Sequence, residues 1–552
     1  MTSKYALSLV LNADFPFVPG RISRLEHSLR LQNARLERAR AKNADSEASV
    51  PESIVPQSAE ESLFFDAVCE TYLPLLEVMD RLEADRVPFR FSLAVSPLMA
   101  QMLCDEDLMK KCAAHFDRRI AFGAEEMQRG GSTAALAKRY MDEAVERRAA
   151  FTARYDGNIL AAINHYRRRE RIEILASPAT GAFLPFLCGF PESFQAQVEV
   201  GLSFCRQSLG TSPQGFWLPA LGWSPSVEPF IKAYGFGFTI ADSSAFAAGS
   251  PPPSGETFFP VRTPQGLFVL GRDSGAVADI AGIKADRIYR DNGRDAGHEL
   301  QADAVAAFIA ANGARCRTGY KYWASGNGGV PYDPAAAEAG AVKHAGLFLE
   351  NRRRQLSGVA SVQEQPISLC ALDADAFGLD WYEGPRFLES LFRLAASSRD
   401  TAFVSLSDYL CRRPFAGFEV SVPEFTSWGE GGYAEAWLDS PNDWIYRHLS
   451  RCCAGMVELV ERFSGGSWVR ERALNQAARE LLLAQSSYWP QMMRRRESSD
   501  FARRGIEDAL RNFGEIYDAM LSNRVSTEWL TDIENRRGIF PDINYGVFRR
   551  RH

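Results

Sequence analysis

Short apolar runs set between long helical stretches place the strongest limit on this fold. Residues 6–11, 90–95, 172–177, 215–219, 236–242, 366–373 and 401–406 read as seven strands. Segments such as 62–84 and 386–396 carry apolar residues at helical spacing between them. Strands alternating with helices argue for parallel β/α units, because parallel strands need a long crossover. In a parallel barrel, chemistry gathers at the C-terminal strand ends, where the loops converge on one mouth. The stretch 214–223, QGFWLPALGW, is the most informative of these ends. It is an apolar run that stops at Pro219, followed by small residues and Gly222.

The remaining segments divide the chain. A barrel is expected over 1–97 and 172–422, with a helical insertion at 98–171 and a helical C-terminal region over 423–552. The stretch 257–273 reads as a β-hairpin around Pro264-Gln265-Gly266. Within the first part, 19–61 reads as an inserted helix plus a mobile linker rich in Ser, Ala, Glu and Pro, and as a possible arm for a protein partner. The 552 residues are enough for a large core. A net charge of -6 gives no support to nucleic-acid binding, and the Arg runs at 167–169, 352–354 and 494–496 read as solvated helix faces. No apolar run approaches the length that spans a bilayer. Ten cysteines without a C-x-x-C pair indicate reduced thiols and a cytoplasmic location.

Several motifs, taken in order, resemble glycoside hydrolase family 57 and within it the α-1,4-glucan branching enzymes. They include ETYLPLLEVMDRLEADRVPFRFSLAVSP, ASPATGAFLPFL, LDADAFGLDWYEGPRFLE, TSWGEGGYAEAWL, LNQAARELLLAQSSYWP and IFPDINY. The resemblance implies an incomplete seven-stranded (β/α) barrel, a helical insertion after the second strand and a helical C-terminal domain. It also implies an α-glucan ligand and no cofactor or resident metal.

The chain departs from that family at the positions that carry its chemistry. The nucleophile position is Ala220, whose methyl group cannot attack a sugar carbon. The strand-end histidine positions hold Asn12 and Asp14, and the A-T-H-G motif becomes Ala179, Thr180, Gly181, Ala182. The D-T-H-G motif becomes Asp242, Ser243, Ser244, Ala245. The acid position Asp373 is kept, followed by Asp375, Phe377 and Gly378, but Leu379 and Asp380 replace the next histidine and tryptophan. None of the seven histidines falls at a barrel-mouth motif position. A retaining glycosidase needs two carboxyl groups about 5–5.5 Å apart, so the resemblance implies a barrel shaped for sugar without the retaining route.

Other readings of the same residues stay open. Asp14 or Asp375 paired with Asp373 would suit an inverting scheme with water as nucleophile. An oxygen-only set of Asp14, Asp242 and Asp373 would suit Mg²⁺ or Ca²⁺. Trp217, Trp223, Trp381, Trp428 and Trp489 would either pack in the core or stack on sugar rings, with at least two expected in the cleft. Ser243, Ser244 and Ser427 lack the G-x-S-x-G frame of a serine nucleophile. Residues 429–432 lack the Lys and Ser/Thr of a phosphate loop.

Overall fold

The structure is a computed structural model that describes residues 4–20, 55–326, 329–412, 417–429, 431–463 and 465–550. Most of the expected arm at 19–61, its helix and linker at 21–54, lies outside the described residues.

Ten strands are present among the described residues: β1 (Tyr5–Ala13), β2 (Phe91–Val95), β3 (Ile172–Leu175), β4 (Gly215–Phe216), β5 (Phe238–Ala241), β6 (Val261–Arg262), β7 (Phe268–Gly271), β8 (Ile367–Asp373), β9 (Thr401–Phe403) and β10 (Glu419–Val420). β1 lies between β8 on one side and β2 with β9 on the other, all parallel. β2 continues to β3. A parallel bridge between Ala176 and Phe216 carries the sheet on to β4, then β5 and β7. The Asp273 amide donates to the Leu369 carbonyl at 2.8 Å, which ties the end of β7 to β8. This is the expected incomplete (β/α)7 architecture. All nine residues of β1 are buried, as a parallel strand covered on both faces must be.

The period of two divides each strand between two cores. Ala6, Val10, Ala94, Leu175, Trp217, Ile240, Leu270, Leu369 and Ala371 form one inner cluster contributed by successive strands. Leu7, Leu9, Leu11, Leu93, Ile174 and Cys370 belong to the outer cluster under the helices. The inward parity predicts which residues ring the mouth. Two places beyond the last inner-core residue stand Asn12, Ser96, Ser177, Asp242, Arg272 and Asp373.

The hairpin over 261–271 forms with β6 antiparallel to β7. β7 is more than an excursion, because it pairs in parallel with β5 along its whole length. The insertion contains the helices Pro97–Leu103, Glu106–Arg129, Ala134–Ala149 and Ile159–Arg168. The helix expected at 62–84 runs as Ala59–Ala67 and Leu73–Ala84 joined by a π-helical turn, Val68–Tyr72, just ahead of Pro74. Proline cannot donate into the helical ladder, which accounts for the local change of winding. After residue 444 five helices follow, Trp444–Phe463, Trp468–Ala484, Tyr488–Arg495, Ser499–Leu521 and Thr527–Arg537.

Candidate functional site

Asn12 and Asp373 are register partners on β1 and β8. Both face inward, so the Asn12 amide donates to Asp373 Oδ1 at 2.8 Å. Asp14 has the same parity, just past the strand end. Its Oδ1 accepts from Ser96 Oγ at 2.5 Å and from the Phe15 amide at 3.0 Å. Asp375 follows on the single helical turn Ala374–Phe377.

Two phenols lie within electrostatic reach of these acids. Tyr72 comes from the π-helical turn and Tyr488 from the start of the helix Tyr488–Arg495. Burial and the charges of Asp14, Asp373 and Asp375 hold both phenols well above their ordinary range. Burial pushes Asp14 up to about 7, against the bonds from Ser96 and Phe15 and with some help from the Asp373 charge. Burial likewise carries Asp375 to about 7, with Asp380 and Asp373 adding to it. Asp373 is open to water along the cleft and walled by protein elsewhere. Its enclosure lifts it to about 6, against the Asn12 bond. These three carboxyls are therefore poised near neutral pH, the range suited to proton exchange.

The opposite wall is apolar. Ala220 lies in a one-turn helix, Pro219–Leu221, with φ 56° and ψ 21°. Leu221 is also left-handed, at φ 50°. Side chains other than Gly rarely adopt this region, and such outliers cluster at functional sites. The turn is pinned by the Trp428 amide, which donates to the Ala220 carbonyl at 2.7 Å. The Ala220 methyl packs with Phe183, Ala434 and Trp437, and Phe183 stacks on Trp437 at 4.8 Å and 8°. Ala220 is 6% exposed. Aromatic carbon thus surrounds the Ala220 methyl.

Other expected residues fall as follows. Asp242 pairs with Arg272 at 2.5 Å, and Arg272 lies over Trp428 at 5.6 Å. Asp242 also caps the short helix Ser243–Ala247. Ser244 Oγ is engaged by Thr426 and Asp242, with no histidine beside it. The aromatic expectation needs correction. Trp217, Trp223, Trp381 and Trp489 are 0%, 0%, 2% and 1% exposed. Trp217 points inward below the mouth and fills the barrel, and Trp381 packs between Tyr289 and Phe387. Trp223 and Trp489 donate to the Pro423 and Leu483 carbonyls. Trp428 alone of the five is partly exposed, its edge against Trp217 at 5.8 Å. Among the described residues no three His, Cys, Asp or Glu side chains converge to hold a metal ion, and Asp242 is engaged by Arg272.

The sequence reading missed Tyr72, Tyr488, Arg272 and Ser96. Tyr72 and Tyr488 lay inside quoted motifs, ETYLP and SSYWP, without a role. Ser96 and Arg272 were legible from inward parity once the strands were placed.

The chain is thus a parallel β/α barrel with acids at its mouth, a helical insertion after β2 and a helical C-terminal region. Residues 60–281 match the model described as Glycosyl hydrolase family 57, and 448–548 match that of the 1,4-alpha-glucan branching enzyme C-terminal region. A relative in Thermococcus kodakarensis, named 1,4-alpha-glucan branching enzyme, is 23% identical over 521 residues, which is 88% of this chain and 75% of that one. Among solved structures, the alpha-amylase AmyC of Thermotoga maritima superposes with TM-score 0.85 at 28% identity, with both chains covered in full. The branching enzyme of Pyrococcus horikoshii gives TM-score 0.85 at 22% identity, covering 100% of this chain and 97% of that one.

Proposed function

We propose that this chain binds α-glucan in the mouth of its barrel and lacks the retaining chemistry of the enzymes it resembles. The observation that carries this is Ala220, a left-handed residue held by Trp428 with its methyl under the Phe183–Trp437 stack. The backbone frame for a presented side chain persists, and the side chain in it can neither attack nor accept a proton. The protein would then work as a cytoplasmic glucan-binding partner of other glucan enzymes, with 19–61 as its docking arm. The test is incubation of the purified chain with amylose, following iodine staining and reducing ends, beside calorimetry with maltotetraose. Binding without turnover is expected. Branching or hydrolysis that disappears in Asp373→Ala overturns the reading.

One observation favours a second reading, an inverting hydrolase. The Asp373 charge acts on both Asp14 and Asp375, and burial lifts all three carboxyls toward neutrality. One would protonate the leaving oxygen while another, charged, activates water. Inverted product released from maltooligosaccharide, lost in both Asp14→Asn and Asp373→Asn, would establish it.

A further inference from the structure

The segment that follows Trp428 lies on the lip of the barrel mouth, and its side chains divide between the wall and the water. Ala434 belongs to the wall: it is 2% exposed and packs with Ala220, Phe183 and Trp437. Its φ is 67°, a left-handed value that alanine keeps only where its surroundings fix it. Tyr433, one residue earlier, is 68% exposed, more than any other large apolar or aromatic side chain among the described residues.

The backbone that carries this ring is closely tied. The Ser427 amide donates to the Gly432 carbonyl at 2.9 Å, and the Ala434 amide donates to Ser427 Oγ at 2.9 Å. The Tyr433 amide donates to Glu435 Oε2 at 3.1 Å. Gly431 is left-handed at φ 75°, and a Cβ there would meet Glu435 Oε1 at 2.1 Å, so the turn requires glycine. A Cβ on Gly432 would lie 3.4 Å from Ser244 Oγ, which sets the loop against the Asp242–Ser244 corner of the mouth. Among the described residues nothing stacks on the Tyr433 ring and nothing bonds its hydroxyl. A bare aromatic held out by a fixed backbone, continuous with the cleft through Ala434 and Trp428, has the form of a binding surface. Its flat carbon face suits the apolar face of a pyranose, and its hydroxyl can bond the hydroxyls at the sugar's edge.

We propose that Tyr433 is a stacking platform for one glucose unit of an α-glucan whose neighbouring units occupy the mouth, so that the cleft prefers chains to short sugars. This rests on the glucan-binding reading and adds a subsite and a length preference to it. The experiment is calorimetry of the unaltered chain, Tyr433→Ala and Tyr433→Phe with maltose, maltotetraose and maltoheptaose. Tyr433→Ala is expected to weaken maltoheptaose about three- to tenfold and leave maltose unchanged, while Tyr433→Phe keeps most of the affinity. A second readout uses the unaltered chain alone. Tetranitromethane should nitrate Tyr433, measured by peptide mass, and saturating maltoheptaose should slow that reaction where maltose does not. A maltoheptaose affinity untouched in Tyr433→Ala overturns the proposal, and so does equal weakening of maltose and maltoheptaose or a nitration rate that maltoheptaose leaves unchanged. In each of these cases maltotetraose binding by the unaltered chain leaves the glucan reading standing. Failure of all three sugars to bind the unaltered chain sinks both.

Discussion

Ala220 is a position where backbone and side chain disagree. Its left-handed φ and its bond from Trp428 would suit a presented functional group, yet a methyl sits there against Phe183 and Trp437. Introducing a carboxylate here should therefore fail. In Ala220→Glu, an unpaired charge would enter an apolar cluster, and we expect a loss of about 2–5 kcal/mol in urea unfolding with no gain on amylose. Gly181→Ala would place a methyl on Asp14 Oδ2 at a φ of 64°. A cost of about 1–3 kcal/mol is expected from displacement and strain together, read in the same assay. The acid cluster also fixes a pH dependence. An unfolded aspartate loses its proton near pH 3.9, at about the ordinary value, whereas Asp14 and Asp375 hold theirs to about 7 when folded. The folded state binds more protons through that window, so its stability falls as pH rises from about 4 to about 7. Asp14→Asn should then raise the melting midpoint near pH 8 and leave it unchanged near pH 4. Ala220 and the acids at 14, 373 and 375 stand out in the sequence because each occupies a fixed place in an ordered motif. The tryptophans were not, since an aromatic at a strand end has the same sequence whether it points into the barrel or out of it. Inward parity settles Trp217 only once the true end of β4 is known, and β4 is just two residues long.

The seven expected strands were legible as apolar runs, because parallel strands buried on both faces show no polar alternation to confuse them. The pairing of β7 with β5 was not, since it depends on contacts between residues about thirty apart that no local pattern encodes. The same holds for the π-helical turn Val68–Tyr72, although Pro74 marked the place. That turn has an energetic role as well as a positional one. Glu70 within it accepts from Arg119 at 2.6 Å and from Arg290 at 3.0 Å, with side chains 3%, 9% and 1% exposed. Burial works against the Glu70 charge, but the two guanidinium groups outweigh it and hold the carboxyl below its usual range. Glu70→Gln would leave two buried cations short of an anion. It should cost about 3–5 kcal/mol in urea unfolding and loosen the turn that carries Tyr72.

At the scale of the whole molecule, the barrel and the C-terminal helices meet along one seam beside the cleft. Thr180 Oγ1 donates to the Leu482 carbonyl at 2.6 Å, and Ser487 Oγ donates to the Gly181 carbonyl at 2.6 Å. Gln197 Nε2 donates to Gln485 Oε1 at 2.8 Å. Thr180 is fully buried, so Thr180→Val would take one of the donors from the Leu482 carbonyl, leaving it the Gln485 amide, and would leave part of Gln197 unpaired. A loss of about 1–3 kcal/mol is expected, with weaker maltotetraose binding as Tyr488 shifts. The motifs announced both halves of this seam, but their apposition across some three hundred residues is a product of the fold alone. The proposed recognition surface is thereby inherited in two instalments, with Asp14 and Asp373 supplied by one and Tyr488 by the other. A recombination event that joined this barrel to a cousin's last hundred residues would give the pocket a foreign ceiling, and specificity would change at a stroke with every acid still in place.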